Sequence, residues 1–420
     1  MALDIAQDPA AVARELLPLI RELADETERE RKLAAPVVDA LRSNGLFSMG
    51  VPAALGGLET PLIPVLQTIE EIAYADGATG WNVMIAFDSG LMAAHLSAAR
   101  SRQLVASSPR AIIAGSVAPT GQIQRTDDGY RLAGRWPFGS GCQQADIYIL
   151  GAMLFEKGAP VIAKNGIPEM MEVAVPAADV KILDTWRVAG LRGTGSHDFS
   201  VDNLFVADGF VQPMNLGASV DRGPLYDFPI LGSFAVAKAA VALGNARHAI
   251  DALKDLARTK VPTGQMTLLR ERPALQIDLA RAEAIVRSSR AFLHQTVDEV
   301  LRIVSAGKPV EQQQLAILRL AAVDAVLRCA EAVDLMYNAG GASAIYETSP
   351  LERCFRDAHV VTAHVVVQPA VYEAAGRVYR PEQWSGNCEQ RSPKKETHHG
   401  RVQRESDARF QPETDHGVSR

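Results

Sequence analysis

The sequence predicts an α+β chain, mostly α, in three parts: an N-terminal helical domain, a central antiparallel β-barrel and a C-terminal four-helix bundle. Three observations predict it. Apolar residues recur at three- and four-residue steps over residues 9–105, and short branched or aromatic runs split by turn signals fill 111–212. Helical periodicity then returns and lasts to about Tyr379.

Each element has its own signal. Val12, Leu16, Leu19, Ile20 and Leu23 mark the first helix, and Val37, Leu41 and Leu46 continue the pattern after Pro36. Gly45 and Gly50 mark a reversal, and Gly56-Gly57 a loop. A third helix is expected over 62–74. A fourth starts after Gly77 and carries Trp81, Val83, Ile85, Leu91 and Met92, within a helical domain of residues 1–110. In the central domain, 111–212, Asp128-Gly129 lies between Ile123 and Tyr130-Arg131-Leu132, as expected of a hairpin turn. Runs at 111–114, 147–150, 173–175 and 204–206 read as strands, numerous and brief enough for a small barrel or sandwich. The bundle, 225–385, has long helical stretches at 234–257, 272–305, 310–338 and 350–379. The last opens on Ser349-Pro350-Leu351-Glu352, which reads as a capping box with proline at the first helical position. Residues 386–420, rich in Gln, Arg, Glu and His, are expected to form a disordered tail.

Composition narrows the function. Of 420 residues 47% are hydrophobic, enough for a core with no metal or disulfide staple. Lys+Arg 43 against Asp+Glu 49 gives a net charge of −6, so no basic surplus points to nucleic acid or an anionic membrane. Cys142, Cys329, Cys354 and Cys388 are scattered without metal-ligand spacing, and no metal site is expected. No uninterrupted apolar run reaches about 18 residues, and the N-terminus lacks a signal-peptide pattern, so a cytoplasmic protein is expected.

Two glycine-rich stretches carry the chemistry. In 134–142 a strand runs through Trp136-Pro137-Phe138 into Gly139-Ser140-Gly141, letting backbone and a hydroxyl approach a flat ligand; a glycine-rich hairpin over a buried aromatic is the plainer reading. In 185–196, Trp186, Arg187, Arg192 and three glycines precede another strand. Amides and guanidinium groups beside an indole suit a planar, phosphate-bearing cofactor. Further on come Gly340-Gly341, which can also be a mere helix stop, and Arg353 and Asp357, whose spacing also suits a surface pair. His359 and His364, five apart, do not share a helix face, which argues against a metal pair.

With Ala114-Gly115-Ser116, these motifs make residues 10–385 resemble the acyl-CoA dehydrogenase superfamily, and within it the two-component flavin mono-oxygenases. Known members of that branch are the oxygenase of p-hydroxyphenylacetate hydroxylase, dibenzothiophene mono-oxygenase and indole-3-acetate mono-oxygenase. The resemblance implies an acyl-CoA dehydrogenase-like fold and a reduced flavin, FAD or FMN, that adds O2 as a C4a-hydroperoxide to hydroxylate a small aromatic. It implies Ser116, Phe138, Ser140, Trp186, Arg192, Thr194 and Arg258 at the flavin, with Gly340 and Gly341 reaching it from a neighbouring subunit of a homotetramer. Ser140 and His364 become the catalytic residues, and Trp81, Asp88 and Ser89 face substrate. Asp88 and Ser89 stand near where several relatives carry a histidine. Arg258 lacks the Phe-Gly that usually follows it.

Dehydrogenases of the superfamily commonly place a proton-abstracting glutamate where Val365 stands, and valine accepts no proton. No Gly-x-Gly-x-x-Gly opens a helix after a strand, so the expected partner is a separate NAD(P)H-dependent flavin reductase. Acyl-CoA dehydrogenation with its base elsewhere, and a non-catalytic flavin-binding relative, are the alternatives.

Overall fold

Apolar repeats at helical spacing form helices along the N-terminal third of the computed structural model, which describes residues 8–380 apart from 109 and 218. Asp8 caps α1 (Pro9–Glu22), accepting from the Ala10 N–H at 3.2 Å, with proline in the first turn. α2 (Ala24–Glu30), α3 (Ala35–Ser43), α4 (Leu62–Ala75), α5 (Gly77–His95) and α6 (Ala99–Ala106) follow. Asp76 caps α5, accepting from the Thr79 N–H and hydroxyl, both at 2.7 Å. α5 is buried around most of its circumference, so its polar residues must find partners inside the protein.

The sheet has eight strands: β1 (Ile113–Thr126), β2 (Gly129–Gly139), β3 (Ile147–Glu156), β4 (Ala159–Pro160), β5 (Met170–Pro176), β6 (Lys181–Leu183), β7 (His197–Val206) and β8 (Val211–Pro213). Their order is β6-β7-β2-β1-β3-β5-β8, with β4 on β3. This sheet is mixed and open, which corrects the expected antiparallel barrel. β1 and β3 run parallel, and the two ends of the strand order do not pair among the described residues. The cause is the connection after β2. Residues 140–146 cross the start of β1, where the Asp146 N–H bonds the Ile112 carbonyl at 2.8 Å, so β3 leaves in the direction of β1. The hairpin stands where the turn signal predicts it, shifted by one residue: Thr126 pairs with Gly129, leaving Asp127-Asp128 as the loop.

Alternation along β3 divides two cores. Ile147 and Ile149 join the helical core, while Tyr148 and Leu150 join Trp136, Phe199 and Val173 on the other face. After α7 (Pro224–Asp227), the long helices α8 (Ile230–Thr259), α9 (Pro273–Ser305) and α10 (Gln312–Gly340) pack side by side, and α4 lies along α8. The expected fourth stretch, 350–379, breaks into α11 (Pro350–Thr362) and α12 (Ala370–Val378). Three consecutive valines lose side-chain freedom in a helix, and Pro369 cannot donate to the turn before it. The capping box at 349–352 does not form either. Ser349 makes no side-chain cap, and Glu352 pairs with Arg356 at 2.6 Å. The described residues up to Tyr379 form one compact unit, and the expected tail at 386–420 lies outside the described residues. Among the described residues no helix is long and apolar enough to cross a membrane, and Cys142, Cys329 and Cys354 are buried and unpaired.

One buried carboxylate on the sheet sets a pH dependence. Glu172 on β5 accepts from Gln212 Nε2 at 2.8 Å, and its Oε1 has no partner. Burial pushes its carboxyl up to about 7. The folded chain therefore keeps a proton that the unfolded chain releases, so the stability from this site is full below the ordinary glutamate range and drains as pH rises through about 7. Glu172→Gln is expected to gain on the wild type in urea midpoint between about pH 4 and about pH 8. A constant difference over that range would contradict this.

Candidate active site

The site starts from a distortion in β2. Its register with β7 shifts between Trp136 and Gly139, a β-bulge. Trp136 is buried, stacked on Phe199 at 5.7 Å, and its Nε1 donates to the Gly151 carbonyl at 2.8 Å. Strand alternation alone would bury Phe138 on the same face. Instead Phe138 adopts a left-handed backbone, φ 61°, and its ring turns outward to 72% exposure. There it meets the Trp186 ring edge-to-face at 6.3 Å. Just beyond, Ser140 is buried, its N–H bonded to the Phe138 carbonyl at 2.9 Å.

Ser140 opens a line of hydroxyls. Its Oγ accepts from Trp81 Nε1 at 3.0 Å and lies 2.6 Å from Ser196 Oγ. Ser196 Oγ lies 2.7 Å from Thr194 Oγ1, which donates to the Leu191 carbonyl at 2.8 Å. Trp186 Nε1 donates to that carbonyl too, at 3.1 Å. Leu191 itself has a left-handed backbone, φ 49°, which a leucine holds only when its surroundings fix it. On its other side the Leu191 N–H donates to Asp357 Oδ1 at 2.5 Å.

Asp357 is therefore no surface residue. It is buried on α11, and burial pushes its carboxyl up to about 7, with the Leu191 N–H pulling it back down. Arg353 does not pair with it; that side chain reaches Glu28 at 2.6 Å and Asp25. α11 and the loop before β7 approach so closely that a Cβ on Gly190 would lie 2.3 Å from the Arg356 carbonyl.

His364 stands in the break between α11 and α12. Its ring meets the Trp81 indole edge-to-face at 5.6 Å, and its Nδ1 accepts weakly from the Val366 N–H at 3.4 Å. Burial, and secondarily the Lys238 ammonium, push the imidazole down to about 3, so at neutral pH it is uncharged and carries its proton on Nε2. Lys238 is itself buried on α8, with Nζ 2.5 Å from Asp88 Oδ2 and 3.4 Å from Met84 Sδ. Burial pushes Asp88 up to about 6 against the pull of Lys238, and its Oδ1 has no partner.

Part of this set surrounds a cavity of about 340 Å³. Of the expected residues, Trp81, Phe138, Ser140, Trp186, Thr194 and His364 line it, joined by Ser196, Leu191 and apolar side chains including Ile85 and Val360. Among the described residues its lining contains no Asp or Glu. The others fall elsewhere. Asp88 is held by Lys238 and does not line the cavity, nor does the half-buried Ser89. Ser116 lies on β1 beside Leu150, where the strand becomes irregular. Arg192 turns to the Val188 carbonyl and to Glu28. Arg258 is exposed and paired with Asp255 at 3.0 Å. Gly340 and Gly341 end α10, where Lys260 Nζ binds the Gly340 carbonyl at 2.6 Å. Lys238 was missed, although one cation in the apolar stretch Phe234 to Leu243 was a readable signal.

Known proteins agree with this architecture. The model of the acyl-CoA dehydrogenase N-terminal domain matches residues 9–104, and that of the acyl-CoA dehydrogenase C-terminal domain matches residues 236–369. The chain belongs to the acyl-CoA dehydrogenase family. Within this family it is 31% identical to indole-3-acetate monooxygenase of Pseudomonas putida, over 89% of this chain and 94% of that protein. It is 28% identical to the oxygenase subunit HsaA of a flavin-dependent monooxygenase from Rhodococcus jostii, over 84% of this chain and 93% of that one. The crystal structure of 3-HSA hydroxylase from Rhodococcus sp. RHA1 superposes with a TM-score of 0.81 at 26% identity, covering 90% of this chain and 98% of the other.

The Asp357–Leu191 bond can be tested within this acyl-CoA dehydrogenase family member. Asp357→Ala leaves a buried N–H without an acceptor and is expected to cost about 1–3 kcal/mol in urea unfolding. Asp357→Asn keeps an acceptor oxygen and is expected to cost clearly less. Equal losses would show that the carboxamide and carboxylate oxygens do not hold Leu191.

Proposed function

We propose that the chain is the oxygenase component of a flavin-dependent mono-oxygenase that hydroxylates a small aromatic substrate. What carries this reading is one cavity holding a buried serine hydroxyl and an uncharged imidazole, with no carboxylate in its lining among the described residues. Dehydrogenation of a thioester needs a base for the α-proton, and an imidazole held near 3 is a poor one. The relatives' names, indole-3-acetate monooxygenase and flavin-dependent monooxygenase, support the same reading.

The residues fit a flavin. The outward Phe138 ring and the Trp186 edge offer a flat apolar surface at the mouth, and the Ser140 hydroxyl offers a polar contact inside. When bound, reduced flavin, FAD or FMN, supplies the electrons that activate O2. The chain's own residues do the rest. Ile85 and Val360 keep water from the reacting atoms, which limits loss of reducing power as peroxide. Trp81 gives an aromatic substrate an edge to pack against, and His364 Nε2–H donates to an oxygen at the substrate end of the cavity. A neutral donor here holds the same state across the ordinary pH range.

The proposal extends to a cytoplasmic enzyme, a separate NAD(P)H-dependent flavin reductase and a homotetramer in which Gly340 and Gly341 approach a neighbour's cofactor. An indole-3-acetate-like compound is the first substrate to try, on the strength of the Pseudomonas putida relative.

The test couples purified protein to an unrelated flavin reductase with NADH, O2 and indole-3-acetate or a panel of phenols. Hydroxylated product is expected from at least one aromatic. Bleaching of bound flavin by an acyl-CoA without O2, and product from none, would reverse the reading. In the same assay His364→Ala is expected to lower the product formed per NADH about tenfold or more and to raise peroxide correspondingly. Unchanged coupling would remove His364 from the reaction.

A further inference from the structure

The hydroxyl line behind Ser140 has a direction, and that direction bears on which redox state of a flavin the site accepts. Trp81 Nε1 can only donate, and it donates to Ser140 Oγ at 3.0 Å. At the far end the Leu191 carbonyl can only accept, and it takes the Thr194 hydroxyl at 2.8 Å beside the Trp186 indole and the Thr194 N–H, each at 3.1 Å. Each hydroxyl between them has one proton. With that of Thr194 directed to the carbonyl, Ser196 must donate across 2.7 Å to Thr194, and Ser140 must donate across 2.6 Å to Ser196. Ser140 then has no proton left for the cavity, only a lone pair. Turning the Ser140 proton into the cavity costs one bond of the line: that of Ser140 to Ser196 or, if Ser196 turns back to donate to Ser140, that of Ser196 to Thr194 or of Thr194 to the carbonyl.

We propose that Ser196 and Thr194 are positioning residues that make Ser140 a hydrogen-bond acceptor toward the cofactor and so favour reduced over oxidised flavin. This rests on the flavin site proposed above. Reduced isoalloxazine bears an N–H at N5, a donor that Ser140 accepts with every bond in the line intact. Oxidised isoalloxazine presents a lone pair there, and meeting it with the Ser140 proton leaves the line with one bond fewer. Trp81 reinforces the bias because it fills one of the two Ser140 lone pairs and can never take a proton back.

The test is the affinity of the purified protein for FMN and for FAD, oxidised in air and reduced with dithionite under anaerobic conditions. The wild type is expected to bind the reduced form more tightly. Ser196→Ala and Thr194→Val each free the Ser140 proton, and each is expected to narrow the ratio of oxidised to reduced dissociation constants about fivefold. For a two-electron couple that is a fall of about 21 mV in the potential of the bound flavin. Thermal melting checks that both variants are folded, and since they cut the line at different places, either alone decides the matter. Wild-type binding with an unchanged ratio in a folded variant would overturn this inference and leave the proposed function standing. Binding of neither redox form by the wild type would overturn both.

Discussion

The peptide of Leu191 is gripped from both sides: its N–H by the buried carboxylate of Asp357 on α11, its carbonyl by Thr194 and by the indole of Trp186. Three parts of the chain meet in that grip. The loop before β7 supplies Leu191 and Thr194, the last bundle helices supply Asp357 and then His364, and α5 joins through Trp81 and the Ser140 hydroxyl. A left-handed leucine is costly in isolation, about 1–3 kcal/mol, and persists here because both of its polar groups are bonded in a buried place. Gly190 lets the two backbones touch. Around it the indole, the hydroxyls and the imidazole share one cavity.

Behind that cavity lies the buried Lys238–Asp88 pair. Such a pair is weak evidence for stability, because desolvating two charges offsets most of their attraction. Its position suggests electrostatic work instead. The ammonium lies 5.9 Å from the Trp81 ring centre and helps keep His364 uncharged. The helix break that frees His364 from α11 follows from chemistry as plain as three valines and a proline.

Much of this was legible in the sequence. Helical spacing gave α1, α4, α5 and the long bundle helices, and the two glycine-rich stretches marked the strand corners that hold Phe138, Ser140, Trp186 and Thr194. What was not legible depends on partners distant in sequence. The parallel pairing of β1 with β3 is decided by where residues 140–146 cross, which no local pattern encodes. The spacing of Asp357 from Arg353 also suits a surface ion pair, yet its acceptor role is set by Leu191, 166 positions away. The position of Asp88 on α5 does not show that Lys238 holds it, and Arg192 stands among cofactor-like residues while its side chain turns to Glu28.

The central claim is that a reduced flavin ring rests on the Phe138–Ser140 corner opposite His364. A crystal structure of the protein grown anaerobically with reduced flavin tests it most directly. The ring is expected against Phe138 and Trp186, with its N5 edge on Ser140 and an open space between it and His364 for an aromatic substrate. A ring bound elsewhere on the chain, or a carboxylate brought over its reactive edge, would contradict the account.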